Sequence, residues 1–234
     1  MNLKGFNKLE EYMLYCMSDS AHDKEHVYRV LYTAIDIASY ESDIDYDILI
    51  ASCLLHDIGR SEETKDKDVN HALVGAEKAY LYLLKQGYNK EFALKVKECI
   101  ETHRFRVKNP PNSIEAKILY DADKLDTCGT IGIARTLLWL GRTNSSLYRL
   151  SDDYELILSK DNSGSSFLQE YNYKLKNLYG NFYTKRGNTI AEQRRCIAEQ
   201  FYQGMISEVE FSYNAIPQLE YILKEDKDGL FKNS

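Results

Sequence analysis

The adjacent pair His56 and Asp57 is the strongest chemical signal in the chain, because it follows directly on an apolar run, Ile48-Leu-Ile-Ala-Ser-Cys-Leu-Leu55. A histidine and a carboxylate at the edge of a core cost free energy unless they are paired or bound to a cation. One cation satisfies both. His26 upstream and Asp123 downstream extend the set to two imidazoles and two carboxylates, a mixed nitrogen and oxygen donor set that suits Mn2+, Fe2+, Co2+, Ni2+ or Zn2+ better than Ca2+. Four protein ligands on a six-coordinate ion leave positions for water and substrate, as a hydrolase requires. Asp121 and Asp126 compete with Asp123 for the last place. On a helix, Asp123 and Asp126 share a face while Asp121 points elsewhere, which also suits Asp126 to a salt bridge or a cap.

Other residues surround this set. His22 and His26 are four apart and share a helical face, so His22 and Asp23 are expected as outer partners of a ligand or as groups at a helix start. His71 and His103 read either as ordinary residues at helix ends or as additions to the site, with His103 the candidate for acid/base or phosphate-contacting work. Arg29, Arg60, Lys65, Lys124 and Arg135 bring positive charge close to the motifs. Arginine can grip phosphate oxygens through two N–H groups and lysine acts as a point charge. Arg29, Lys124 and Arg60 are the substrate-binding candidates, although Arg60 and Lys65 lie in the charged stretch 60–70, expected as a mobile surface loop.

Positioning these groups falls to helices. Phe6, Leu9, Met13 and Cys16 recur at helical spacing, as do Val27, Val30, Leu31, Ala34 and Ala38. Asp45 or Asp47 can cap the apolar helix that ends near His56, with Gly59 as its stop. A further helix runs from about His71 to Gly87, and Asn89 can cap the next, which ends at His103. Pro110 and Pro111 mark a break before Ile114 to Tyr120, and Ile131 to Leu140 resumes the pattern. Residues 142–166 are rich in Ser, Asn, Asp and Gly and read as an irregular connection. Helical patterns over Phe167 to Tyr179 and about Thr189 to Val209 follow, with a short helix after Pro217.

Composition agrees. The chain has 234 residues, 44% hydrophobic and 28% charged, which suits a globular protein with a sizeable core. Only three prolines and 12 glycines favour long helices over a turn-rich β architecture. With 30 basic and 36 acidic residues the net charge is −6, no footprint for nucleic acid. The first residues lack a signal-peptide core and no apolar stretch is long enough to span a bilayer, so a cytoplasmic protein without membrane contact is expected. Cys16, Cys53, Cys99, Cys128 and Cys196 are scattered without a C-x-x-C pair and are expected as reduced thiols. Of the 19 tyrosines, Tyr171, Tyr173, Tyr179 and Tyr183 cluster with Phe182 and are expected mainly in the core rather than stacking on a base.

The motifs Ala21-His-Asp-Lys-Glu-His-Val-Tyr-Arg-Val30, Leu54-Leu-His-Asp-Ile-Gly59 and Asp121-Ala-Asp-Lys-Leu-Asp126, followed by Gly129-Thr-Ile-Gly-Ile-Ala-Arg135, resemble in order those of the HD-domain metal-dependent phosphohydrolases, in particular a small bacterial group acting on nucleotides. The resemblance is dense over residues 21–136 and looser through Tyr173-Lys-Leu-Lys-Asn-Leu178. It implies an all-α HD-domain bundle spanning residues 1–234, with a motif core at 21–136 and C-terminal helices over 166–224 packing on it. It places the metal on His26, His56, Asp57 and Asp123, with Asp57 also orienting the attacking water. One divalent ion (Mn, Co, Ni, Fe, Mg or Zn) is implied, because the small group usually reads as mononuclear. A second ion is the alternative, since some binuclear branches recruit histidines in the interval that holds His71 and His103. The implied substrate is a small-molecule phosphate ester, first a nucleotide, cleaved by a pyrophosphohydrolase or phosphatase; a homodimer is left open. The rivals are a cyclic-dinucleotide or guanosine tetraphosphate phosphodiesterase or pyrophosphohydrolase, and behind it a non-enzymatic metal or nucleotide sensor.

Overall fold

A computed structural model describes residues 1–17, 24–104, 109–160 and 164–230. Among them it contains α1 (Leu3–Met17), α2 (Lys24–Ala38), α3 (Tyr46–Leu55), α4 (Arg60–Lys65), α5 (His71–Lys85), α6 (Lys90–Thr102), α7 (Ile114–Leu125), α8 (Gly129–Arg142), α9 (Phe167–Tyr173), a 3-10 helix (Leu175–Gly180), α10 (Lys185–Tyr213) and α11 (Ile216–Leu230). Only two isolated β-bridges, Ser146 to Ser166 and Leu150 to Leu156, occur among these residues, both touching the irregular connection. The chain is therefore all-α.

Helix α3 is the hub. Asp45 caps it, its carboxylate accepting from the amides of Asp47 and Ile48. Beyond this cap Ile48, Leu49, Ala51, Ser52, Cys53, Leu54 and Leu55 are all buried. A helix apolar on all sides is stable only with neighbours all round. α1, α2, α5, α6 and α7 supply them, while α2 also packs on α7 and α5 on α6. One hydrophobic cluster runs from Leu9 in α1 to Tyr202 in α10. Side chains of Asn70, Asn89, Ser113, Ser166 and Thr184 cap α5, α6, α7, α9 and α10, satisfying otherwise orphaned amides at each start.

The structure departs from the sequence expectations in four places. Residues 60–65 form α4 rather than a loop, because their charges are absorbed locally: Arg60 bonds Asp57 and Glu63, and Lys78 of α5 bonds Glu62 and the Ile58 carbonyl, each at 2.8 Å. The pattern Phe167 to Tyr179 breaks at Lys174 into α9 and the 3-10 helix. α10 starts at Lys185, ahead of Thr189, because the buried Asp121 carboxylate receives the amides of Tyr183 and Thr184 and the Thr184 hydroxyl and so fixes that corner. α11 begins at Ile216 and carries Pro217 in its first turn, where the missing amide proton costs nothing.

Gly59 is not simply a helix stop. A β-carbon there would lie 2.3 Å from the His71 carbonyl oxygen and 2.7 Å from the Gly75 amide nitrogen. Only a residue without a side chain lets the start of α5 pass this close to the turn after His56 and Asp57. That approach brings His71 to the site.

Candidate metal centre

His26 lies on α2, His56 closes α3, Asp57 sits in the following turn, His71 opens α5, His103 closes α6, and Asp123 and Asp126 end α7. Five of these positions lie at helix ends, and the bundle directs them to one place. The four imidazoles and Asp57 are buried, while the Asp123 side chain keeps 20% of its exposure and marks the open side.

Every imidazole is oriented alike. Its Nδ1 faces an outer acceptor: Asp126 Oδ2 at 2.7 Å for His26, the Cys53 carbonyl at 2.8 Å for His56, Glu63 Oε2 at 2.8 Å for His71 and the Ile100 carbonyl at 2.6 Å for His103. With the Nδ1 proton donated outward, a neutral ring presents an Nε2 lone pair inward, and His26 does so once its second proton is displaced. His26 and His56 Nε2 then stand 3.3 Å apart, as do those of His71 and His103. Lone pairs face each other at that distance only with a proton or a cation between them.

Asp57 joins the two pairs. Its Oδ2 is 3.5 Å from His26 Nε2 and 3.6 Å from His56 Nε2, whereas Oδ1 is 3.5 Å from His71 Nε2 and 3.7 Å from His103 Nε2. Asp123 Oδ1 adds to the first pair, 3.2 Å from His26 and 3.9 Å from His56. Donors on an ion about 2.0–2.2 Å away stand roughly 2.9–3.6 Å apart at octahedral to tetrahedral angles. Most of the spacings fall in that range, with 3.9 Å for His56 to Asp123 and 3.7 Å for His103 to Asp57 slightly wider. They form two groups, His26 with His56 and Asp123, and Asp57 with His71 and His103, each of which could hold a metal ion. The residues present fit a divalent cation, with outer carboxylates and carbonyls fixing each ring as ligating histidines require.

The electrostatics agree. Burial pulls His56 down to about 4, and burial with the nearby Arg60 charge pulls His71 down to about 3, so both rings are neutral. Burial pushes Asp57 and Asp123 upward, but the surrounding imidazoles, joined at Asp57 by Arg60, hold both well below the usual carboxylate range. For His26, burial is outweighed by hydrogen bonds to Asp123, Asp126 and Asp57, and the ring is raised well above its ordinary value. A cation entering there displaces a proton.

The expected ligands His26, His56, Asp57 and Asp123 are thus together. So is His103, but its Nδ1 is spent on a backbone carbonyl. Arg29 reaches the site's rim, with Nε 2.7 Å from Asp126 Oδ1 and a second bond to Oδ2 at 3.1 Å, and Arg135 also binds Asp126. Asp126 is therefore the acceptor that orients His26 between two arginines. Arg60 touches the centre through Asp57 Oδ1 at 2.9 Å. Lys124 stands apart: its ammonium bonds the Asn181 carbonyl at 2.9 Å and lies over the Phe182 ring, tying α7 to the chain before α10. Lys65 is exposed. His22 and Asp23 lie outside the described residues. Tyr171, Tyr179 and Phe182 are core, whereas Tyr173 and Tyr183 are exposed. All five cysteines are free.

Glu63 and Arg104 were not anticipated. Glu63 bonds His71 Nδ1, Arg60 and Arg104, and becomes legible only once 60–65 is helical, since the i, i+3 spacing from Arg60 then puts both on one face.

Among the described residues no helix is long and apolar enough to cross a membrane. Residues 24–128 match the HD domain family. YpgQ of Bacillus subtilis (strain 168) is 28% identical over 197 residues, covering 81% of this chain and 85% of that protein. The crystal structure of YpgQ in complex with ADP superposes with a TM-score of 0.66 at 25% identity, over 86% of this chain and 97% of that one. An HD-superfamily hydrolase from Bacillus thuringiensis gives 0.69 at 26% identity (88% and 96% covered), and a predicted HD superfamily hydrolase from an uncultured Thermotogales bacterium gives 0.60 at 28% (89% and 99% covered). Motifs, family match and fold agree on an HD-domain fold, with the match to the family lying over residues 24–128.

Proposed function

We propose that this protein is a divalent-metal-dependent phosphohydrolase acting on a nucleotide, either a nucleoside triphosphate pyrophosphohydrolase or a nucleotide phosphatase, built as one domain over residues 1–234. The observation that carries the reading is the convergence of four inward Nε2 atoms on the two oxygens of Asp57. The HD-superfamily hydrolases of like fold support the hydrolase class, and the YpgQ complex with ADP supports a nucleotide as ligand.

His26, His56, Asp57 and Asp123 would hold one divalent ion, and His71 and His103 with the other oxygen of Asp57 would hold a second. Such an ion supplies Lewis-acid polarisation of a phosphoryl oxygen and acidifies the attacking water. The chain's own groups do the rest. Asp126 fixes the His26 ring, Asp57 orients the water and takes up positive charge on both sides, and the exposed edge at Asp123 is where a phosphate enters. Arg60 is the phosphate-contacting cation we retain, because its partner Asp57 lies within the centre, whereas Arg29 is held at the rim by Asp126 and Lys124 is held apart by Asn181. His103 serves as a ligand rather than an acid or base, its Nδ1 being held by Ile100.

The second cluster also favours a rival, a cyclic-dinucleotide or guanosine tetraphosphate phosphodiesterase or pyrophosphohydrolase, since paired ions clamp both the attacking and the leaving oxygen. One screen separates these readings. Purified protein supplied with Mn2+, Co2+, Ni2+ or Mg2+ is offered nucleoside mono-, di- and triphosphates, cyclic dinucleotides and guanosine tetraphosphate, with Asp57→Ala as control. Phosphate or pyrophosphate release from a nucleotide, abolished in the variant, is expected. Cleavage of a cyclic dinucleotide or guanosine tetraphosphate alone would replace the substrate class, and nucleotide binding without release under any metal would make the protein a sensor.

A further inference from the structure

The two halves of the centre share Asp57 but are not electrically alike. Around the first half stand two further carboxylates, Asp123 and Asp126, balanced by Arg29 and Arg135, both of which bind Asp126. Around the second half, among the described residues, Glu63 is set against Arg60 and Arg104. Glu63 offsets only one of these two positive charges, and it does so from the outer side of the His71 ring, where its Oε2 meets Nδ1. Arg60 reaches further in: its Nε donates to Asp57 Oδ1 at 2.9 Å, the same oxygen that His71 and His103 face. A cation held there would share a ligand oxygen with a guanidinium that cannot lose its proton. Like charges so close oppose each other, and a donated hydrogen bond weakens the oxygen as a ligand.

We propose that Arg60 is a built-in counter-cation that makes the His71 and His103 half the weaker ion site, so that the His26 and His56 half fills first and Arg60 sets how many ions the chain holds. This rests on the metal-centre reading above. It adds an unequal pair of sites and names the residue responsible. The salt bridge to Glu63 gives Arg60 an alternative partner on α4, so the guanidinium can leave Asp57 without being left unpaired.

The test is a Mn2+ titration of the metal-stripped full chain by calorimetry, with metal content measured after desalting. The wild-type protein should show one tight step and a second that is weaker by at least about tenfold, in line with the 10–100-fold leverage of groups that support a ligand. Arg60→Gln should tighten the second step about tenfold or more while moving the first by less than about threefold, and should raise retained manganese per chain. Arg60→Lys keeps the charge and should leave the second step weak. Glu63→Gln removes the remaining local carboxylate and should weaken it further. Melting curves establish that each variant is folded, and if Arg60→Gln fails to fold, the Glu63→Gln and Arg60→Lys titrations decide alone. Two equal steps in the wild type, no change in Arg60→Gln, equal tightening by the Lys and Gln variants, or a tighter second step in Glu63→Gln would each overturn the role given to Arg60. Absence of any Mn2+ binding in the wild type would instead sink the metal-centre reading itself.

Discussion

Replacing Gly59 by alanine tests how the fold builds the second half of the centre. The new methyl would lie 2.3 Å from the His71 carbonyl oxygen and 2.7 Å from the Gly75 amide nitrogen, both backbone atoms that cannot rotate away. An ordinary carbon–oxygen contact is roughly 3.3 Å or longer, so the start of α5 must retreat by about 1 Å. His71 leads that helix and moves with it, away from Asp57 Oδ1, now 3.5 Å distant, and from His103 Nε2, now 3.3 Å distant. Overpacking of this kind costs about 1–3 kcal/mol. For a domain of this size that lowers the melting temperature by about 2–12 °C. The second manganese step should weaken about tenfold or more, while the His26 and His56 step, none of whose ligands lies on α5, should change less. The assay is a paired melt and Mn2+ titration. Gly204→Ala is the control: it lies within α10 with nothing within 4 Å of a new β-carbon, so it should be neutral or stabilising by up to about 1 kcal/mol. A Gly59→Ala protein melting within about 1 °C of the wild type, with an unaltered titration, would show that the close approach of Gly59 to α5 does not position His71.

Further outcomes follow from the same geometry. Asp126→Asn keeps the shape but removes the anion that orients His26 between Arg29 and Arg135, and should weaken the first manganese step about 10–100-fold, read by calorimetry. In the presence of a chelator, His56, held down to about 4 from 6.5, binds its proton later than in the unfolded chain, so its contribution is full above pH 6.5 and is lost as pH falls towards 4, by about 3 kcal/mol. His71 acts in the same direction, whereas His26, raised by its carboxylates, contributes stability below pH 6.5 that disappears as pH rises through its folded value. Melts from pH 7 to pH 4 should therefore show a steep loss that is shallower in His56→Gln, and an identical slope in the two proteins would contradict this. Manganese at about 100 times its dissociation constant should stabilise the folded chain by about 2.7 kcal/mol, a rise of roughly 5–11 °C that chelation reverses.

The sequence by itself determined most of the helices, because most bury a stripe with a 3.6-residue period or begin at a side chain able to cap them. It also singled out the residues that the structure brings together at the candidate centre. His26, His56, Asp57 and Asp123 stand in ordered motifs, and the apolar run before His56 requires that pair to emerge from the core. Tertiary structure decided what depends on distances between segments far apart in the chain. Nothing in local spacing says that Asp57 faces two histidine pairs, that His71 and His103 meet 3.3 Å apart across α5 and α6, or that Asp126 absorbs the charges of Arg29 and Arg135. The stretch 60–65 shows why. Read alone it is a run of charges suited to solvent, and it becomes α4 only because Asp57, Glu63 and Lys78 stand where the bundle puts them. A helix's period is written in its own residues, whereas the partner of a charge is chosen by the packing of the whole chain.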